Sequence, residues 1–231
     1  RYRDILRVYL RTATAASVVV DVGANDGRAY YEFSIGEGKT FIGIDVSHLL
    51  LSEFVRRISD QTALQADGIC LPLKTASVDF LFCTETLEHL SDPAQALREF
   101  SRVLSPGGRL MIQSPNAHRI RNLNPFHITA LAVSLVSDRV LQKKIVHENT
   151  WHNAVTYHWD FSVQDYRRMA RSAGLRVLEL SSRQFFFPQF LLSGRPGTVK
   201  KKEKLIGAIP LLSMFGDDLV MVAAAGEKET S

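Results

Sequence analysis

The chain has 231 residues, 45% hydrophobic and 23% charged, with a formal net charge of +4. At about 150 residues per domain, this length predicts one large domain spanning 1–231, with room for an embellishment. The composition excludes a disordered chain, a collagen or a coiled coil, and every apolar run is shorter than the ~18 residues a membrane span needs.

The basic residues cluster only at Arg1, Arg3, Arg7 and Arg11 and at Lys200, Lys201, Lys202 and Lys204, which permits anionic partners without requiring them. Cys70 and Cys83 both fall in apolar, strand-like runs and read as reduced core thiols of a cytoplasmic protein. The opening RYRDILRVYLRTA is too basic and interrupted for a signal peptide, although the absence of an initial Met leaves an upstream leader open.

Through the first half, short β-branched runs alternate with longer stretches whose apolar residues recur three and four apart, the pattern of βαβ units. Strands are predicted at Ser17–Val22, Thr40–Val46, Thr62–Ala66, Val78–Cys83 and Arg109–Ser114. Each is nearly continuous in apolar residues, as befits a parallel sheet covered on both faces. Between the last two lies a well-marked helix. Asp92 caps it, Pro93 suits its first turn, and Gln95 completes a box. Leu97, Phe100 and Leu104 share a face, and Pro106-Gly107-Gly108 ends it.

Residues 115–160 differ in character, being rich in His, Asn and aromatics, and are expected to form an insertion with a helix near Ile128–Val146. A helix at Ser162–Ala173 and strands at Leu175–Ser181 and Leu219–Ala225 complete the sheet. The expected fold is a doubly wound, mostly parallel seven-stranded α/β sheet.

Three of these strands end in a carboxylate. Asp21 precedes the turn Val22-Gly23-Ala24-Asn25-Asp26-Gly27, while Asp45 closes the second strand and Asp67 follows the third. In such sheets ligands bind at the carboxyl edge, where an acid about 20 residues beyond the Gly-rich turn can accept both ribose hydroxyls. Gly23 and Gly27 allow close approach of a ligand to the main chain, and Asn25 tolerates positive φ. The first turn lacks the Gly-x-Gly-x-x-Gly of dinucleotide enzymes, and the phosphate-loop Gly-Lys-Ser/Thr is absent. A nucleoside with a cationic tail fits better, with Asp21 near the cation, Asp45 on ribose and Asp67 on the adenine amine.

The stretch Val18–Asn116 resembles the class I S-adenosylmethionine-dependent methyltransferases, in their small-molecule, methyltransferase-domain-11 branch. It contains VVVDVGANDGR, FIGIDVS and the run from ALQADGICLPLKTASVDFLFCTETLEHL to SPGGRLMIQSPN. The resemblance implies S-adenosylmethionine as cofactor and no metal. It implies that Asp21, Gly23, Ala24, Asn25 and Gly27 hold the methionine portion, and that Asp45 and Val46 hold ribose and adenine. Asp67, Gly68 and Ile69 would line the adenine edge, with Cys83, Thr84 and Glu85 beside the transferred methyl. Asn25 departs from the Gly that many members carry. The last strand is expected to run antiparallel.

Methyl transfer to oxygen also needs a proton acceptor, and His89, His127, His152 and His158 are candidates. Trp151, Tyr157, Trp159 and Phe161 read as an apolar lid over the acceptor, within an insertion that recognises it, in preference to a satellite core under a long loop. The expected acceptor is a small metabolite, a glycan or a lipid-linked molecule. Nucleic acid is disfavoured, because neither an Asn/Asp-Pro-Pro-aromatic motif nor a Pro-preceded nucleophilic Cys follows the fourth strand. A catalytically silent partner subunit is the other alternative. Phe185–Leu192 followed by Lys200–Lys204 could touch an anionic membrane, making the protein peripheral there, though packing on the sheet explains the same residues. Oligomeric state is not legible.

Overall fold

The computed structural model describes residues 15–35, 37–117, 144–149, 154–183 and 217–226. Strands β1 (Val18–Val22), β2 (Thr40–Asp45), β3 (Thr62–Gln65), β4 (Val78–Thr84), β5 (Leu104–Pro115), β8 (Leu175–Arg183) and β9 (Asp218–Ala225) form one seven-stranded sheet in the order β3-β2-β1-β4-β5-β9-β8. Pairs among β1 to β5 are parallel, and β9 runs antiparallel to both β5 and β8. The expected architecture is therefore present, reversed last strand included. Strand order turns back between β1 and β4, which opens a crevice at their carboxyl ends.

Two hydrophobic layers flank the sheet. On one face Val19, Phe41, Phe80, Phe82 and Met111 pack under Phe54 and Ile58, which helix α2 (His48–Arg57) and its C-cap contribute. A short helix α1 (Arg28–Phe33) follows β1. On the other face Val20, Val22, Leu81, Cys83 and Ile112 meet Leu97 and Phe100 of α3 (Pro93–Val103) and Tyr166 and Met169 of α4 (Val163–Ser172). Covering both faces is what makes the central strands read as continuous apolar runs.

Helix α3 starts as expected, with the Asp92 carboxylate accepting the Gln95 backbone N–H at 2.9 Å. The box is not closed, however, because the Gln95 carboxamide oxygen accepts from Arg98 Nε instead. The helix also ends before the Pro-Gly-Gly turn, since Leu104 is already extended and enters β5. That turn is instead an outlooping of β5: Val78 and Phe80 of β4 pair with Leu104 and Arg109, leaving Ser105 to Gly108 opposite Asp79 alone. Helix α4 opens with a full capping box between Ser162 and Asp165.

Two further sequence expectations are corrected. The helix near Ile128–Val146 is contradicted at its end, where Lys144 to Val146 belong to strand β6 (Lys144–Asn149), paired antiparallel with β7 (Ala154–Trp159). Ile145 and Val146 are β-branched, and cross-strand partners 157 and 158 outweigh the local pattern. Residues 128–143 lie outside the described set. Cys70 is exposed rather than in the core. It sits in a turn after β3, in which the Asp67 carboxylate accepts the Ile69 N–H and the Asp67 carbonyl accepts that of Cys70.

Among the described residues no helix is long and apolar enough to cross a membrane. The basic amino terminus, Phe185–Leu192 and Lys200–Lys204 lie outside the described residues.

Candidate active site

The turn after β1 is built by backbone conformation. Gly23 (φ 82), Asn25 (φ 54) and Gly27 (φ 78) all lie in the left-handed region, where glycine pays no Cβ penalty and Asn is among the least strained alternatives. The Gly23 and Ala24 N–H groups both donate to the Ile44 carbonyl, at 2.8 and 3.0 Å, so the turn folds onto the end of β2. A Cβ on Gly27 would meet Ile58 and Phe54 at 2.4 and 2.7 Å. Gly27 thus lets the turn rest on α2.

The three acids occupy three environments. Asp21 is 3% exposed. Burial, and then the nearby Asp45 charge, push its carboxyl well above the usual carboxylate range. Asp45 is half-buried and held by two backbone donors: Asn25 N–H reaches its Oδ2 at 3.0 Å and Ser47 N–H its Oδ1 at 2.9 Å. Asp67 is exposed at the far side.

These residues border a cleft with two adjoining compartments. The first, about 340 Å³, is lined by Asp21, Gly23, Ala24, Asn25, Asp45 and Glu85, with Arg28 and Phe82. The second, about 350 Å³, is lined by Asp45, Val46, Asp67, Gly68, Leu90 and Tyr157. Gly23, Asp45, Thr86 and His89 border both. The donor set fits a ligand with a diol at its middle, because Asp45 stands at the junction with its carboxylate already oriented by two N–H groups. One end of the cleft offers a buried carboxylate and the other an exposed one.

The loop after β4 closes the cleft floor. Glu85 adopts φ 54, its N–H donating to the Gln113 carbonyl at 2.9 Å. A 3-10 turn, Leu87–His89, follows. His89 Nδ1 lies 3.1 Å from the Tyr157 carbonyl oxygen, and the His89 and His158 rings are 5.4 Å apart. Trp159 Nε1 donates to the Leu90 carbonyl at 2.8 Å, so β7 is tied to this loop twice.

Not all of the sequence candidates come together here. Asp21, Gly23, Ala24, Asn25, Asp45, Val46, Asp67, Gly68, Thr84, Glu85 and His89 line the cleft. Gly27, Ile69 and Cys83 do not line either compartment. Gly27 packs on α2, Ile69 lies half-buried against the core, and Cys83 is fully buried in it. Strand alternation explains Cys83: its neighbour Phe82 faces the cleft, so Cys83 must face away. Burial pushes the Cys83 thiol well above its ordinary range.

His158 lines neither compartment, and its ring is in contact with that of His89. His127 and His152 lie outside the described residues, as does Trp151. Of the described aromatics in the lid reading, Tyr157 borders the second compartment, whereas Trp159 is packed against the core and Phe161 is 1% exposed within it, edge-on to Tyr166. Sequence reading missed Thr86, Arg28 and Ile35. For Thr86 a signal existed in its place directly after two predicted site residues.

With this geometry established, comparison with known proteins gives a consistent picture. The methyltransferase-domain family model matches residues 20–112. Over those residues the chain is similar to a methyltransferase domain, and its seven-stranded, mostly parallel sheet with one reversed strand is the fold of solved S-adenosylmethionine-dependent methyltransferases.

Among curated relatives, a probable S-adenosylmethionine-dependent methyltransferase of Mycobacterium tuberculosis is 30% identical over 54% of this chain and 47% of its own length. An O-methyltransferase of Aspergillus sclerotiorum is 31% identical over 44% of this chain and 40% of its own, and a tRNA U34 carboxymethyltransferase of Campylobacter concisus is 29% identical over 43% and 36%. The chain thus spans less than half the length of the curated relatives it matches. A solved Haloferax volcanii complex of the Trm112 methyltransferase activator with a methyltransferase shares the fold, at TM-score 0.60 and 20% identity over 99% of this chain and 94% of that one.

Proposed function

We propose that the protein transfers a methyl group from S-adenosylmethionine to oxygen of a small metabolite, a glycan or a lipid-linked acceptor. The observation that carries this reading is the continuity of the two compartments through Asp45, with Asp21 at one end and Asp67 at the other. Asp45 would take the ribose hydroxyls, Val46, Asp67 and Gly68 the adenine, and Asp21 with the Gly23 to Asn25 turn the cationic methionine portion. When bound, the cofactor supplies a sulfonium-activated methyl, so the protein's part is largely to orient the acceptor and exclude water.

Of the two candidate imidazoles among the described residues, His89 and His158, His89 is the one that borders the cleft, and we assign it the acceptor proton. A carbonyl oxygen only accepts, so His89 Nδ1 carries the hydrogen toward Tyr157 and the neutral ring keeps its lone pair on Nε2. Tyr157 itself borders the cleft, and the parallel bridge between Asn116 and Phe161 brings the chain back beside β5. Both features support reading 115–160 as an acceptor-recognition insertion within a single domain.

The tRNA-modifying relative and the Trm112-bound neighbour favour a second reading, in which the acceptor is RNA or a protein partner completes the enzyme. Against RNA stands the cleft's charge. Among the described residues, Asp21, Asp26, Asp45, Asp67 and Glu85 line it, with Arg28 the one lining residue of permanent positive charge, a balance that would repel a polyanion.

Titration calorimetry with S-adenosylhomocysteine tests the cofactor assignment, and absence of binding would overturn it. Acceptor screening with radiolabelled donor then tests the class, where label on RNA rather than on small hydroxyl compounds would reverse the choice.

A further inference from the structure

Beneath the floor of the first compartment, a polar side chain occupies a position where an apolar one would pack without penalty. Gln113 of β5 is 1% exposed and its neighbours Met111 and Ile112 are fully buried. Its Nε2 donates to Glu85 Oε1 at 3.3 Å, and its main-chain carbonyl accepts the Glu85 N–H at 2.9 Å. Its own Oε1 has no hydrogen-bond partner. Leaving a buried carboxamide oxygen unsatisfied is unfavourable, so a stability argument alone would place Leu or Met here. The side chain cannot relieve the strain by turning over, because its oxygen would then face the Glu85 carboxylate.

What Gln113 gains in return is control of Glu85. That residue is gripped at both its main chain and its side chain, in a left-handed conformation that non-glycine residues seldom adopt. It borders the compartment of Asp21 and the β1 turn, and is absent from the lining of the one containing Asp67 and Gly68. On the methyltransferase reading above, on which this inference rests, Glu85 stands at the methyl-transfer end.

We propose that Gln113 is a positioning residue that aims the Glu85 carboxylate at the methyl-transfer end, where it accepts a hydrogen bond from the acceptor. The acceptor is then a molecule that presents an O–H or N–H donor at that end, a polyol, phenol or amine. One that presents a phosphate or carboxylate there is excluded by like charge.

The test compares two probes by calorimetry. Sinefungin differs from S-adenosylhomocysteine in carrying an amine where the transferred methyl would project, so it places an N–H donor within reach of Glu85. Sinefungin is expected to bind the unaltered chain the more tightly. Glu85→Gln and Gln113→Leu should each cut that preference by about tenfold, the worth of one charge-assisted hydrogen bond, while Gln113→Leu keeps S-adenosylhomocysteine affinity within about twofold.

Gln113→Leu should melt no lower than the unaltered chain, which separates positioning from a merely structural role. Parallel loss of both probes, or a preference retained in Gln113→Leu, overturns the proposal. Failure of both probes to bind the unaltered chain overturns the methyltransferase reading and this inference with it.

Discussion

The Cβ position of Gly23 lies 2.0 Å from Thr86 Oγ1, and 2.7 Å from Thr86 Cβ. The turn after β1 and the loop after β4 therefore touch at a point that only a glycine leaves open. Rotation of the Thr86 side chain cannot make room, because its Cβ is itself too close. Gly23→Ala adds this clash to a φ of 82, a conformation that costs a non-glycine residue about 1–3 kcal/mol by itself. The variant should melt lower and lose S-adenosylhomocysteine binding, and Thr86→Ala should fail to rescue it. Thermal unfolding with a parallel binding titration checks both points.

Asp45 has a second task besides meeting a ligand. Its two oxygens tie the Asn25 and Ser47 N–H groups, so it links the β1 turn to the entry of α2 before any ligand arrives. Asp45→Ala should weaken S-adenosylhomocysteine binding by about 1–3 kcal/mol, through loss of charge-assisted bonds and of the preformed turn. Asp45→Asn, which keeps one carbonyl acceptor, should fall between. Equal affinity in all three proteins, measured by calorimetry, would remove Asp45 from the site.

Asp21 is held against stability. Burial raises its carboxyl far above the unfolded carboxylate value of about 3.9, with the Asp45 charge adding to the effect. Below that unfolded value both states are protonated and the group is neutral in the balance. As pH rises from there through the raised folded value, the unfolded chain ionises first and stability falls. Asp21→Asn should therefore be the more thermostable protein at neutral pH, by about 1–2 kcal/mol, and match the unaltered chain near pH 4. It should also bind S-adenosylhomocysteine less well, since the cationic amine loses its counter-charge. Melting curves of the two proteins across this pH range decide the matter.

The sheet was legible because covered parallel strands are apolar on both faces, so Val18 to Val22 and Val78 to Cys83 stand out from their surroundings. The acids were legible because each follows such a run at βα spacing. Contacts between distant segments were not. Nothing local marks the Tyr157 carbonyl as the partner of His89, 68 residues away, or Thr86 as the neighbour of Gly23. Strand β6 was misread where a helical pattern upstream ran into Ile145 and Val146, whose pairing with β7 wins over it. Cys83 was legible in part. Its apolar run reads as core, where the structure has it, while period-two alternation with Phe82 sets it on the face opposite the one where the resemblance put it.

At the opposite edge of the sheet Asp79 offers a contrast to Asp21. The backbone N–H of Val18, then that of Ser17 and the Ser105 hydroxyl, hold its carboxyl below the ordinary range despite partial burial. The bonds are 3.0, 2.9 and 3.0 Å long, and they pin the start of β1 and the outlooping of β5 to one side chain. A depressed folded value means that the stabilisation is complete above the unfolded carboxylate value and is lost as pH falls through the folded one. Asp79→Asn should cost about 1–2 kcal/mol at neutral pH, the charged part of these bonds. For a chain of this size that corresponds to a melting point lower by roughly 2–8 °C. The deficit should shrink as the pH is lowered from 5 toward 3, the reverse of the trend expected for Asp21→Asn, whose advantage also disappears there. Circular-dichroism melts of the two variants side by side test the signs together, and a deficit that persists unchanged at pH 3 would show that the Asp79 charge is not its source.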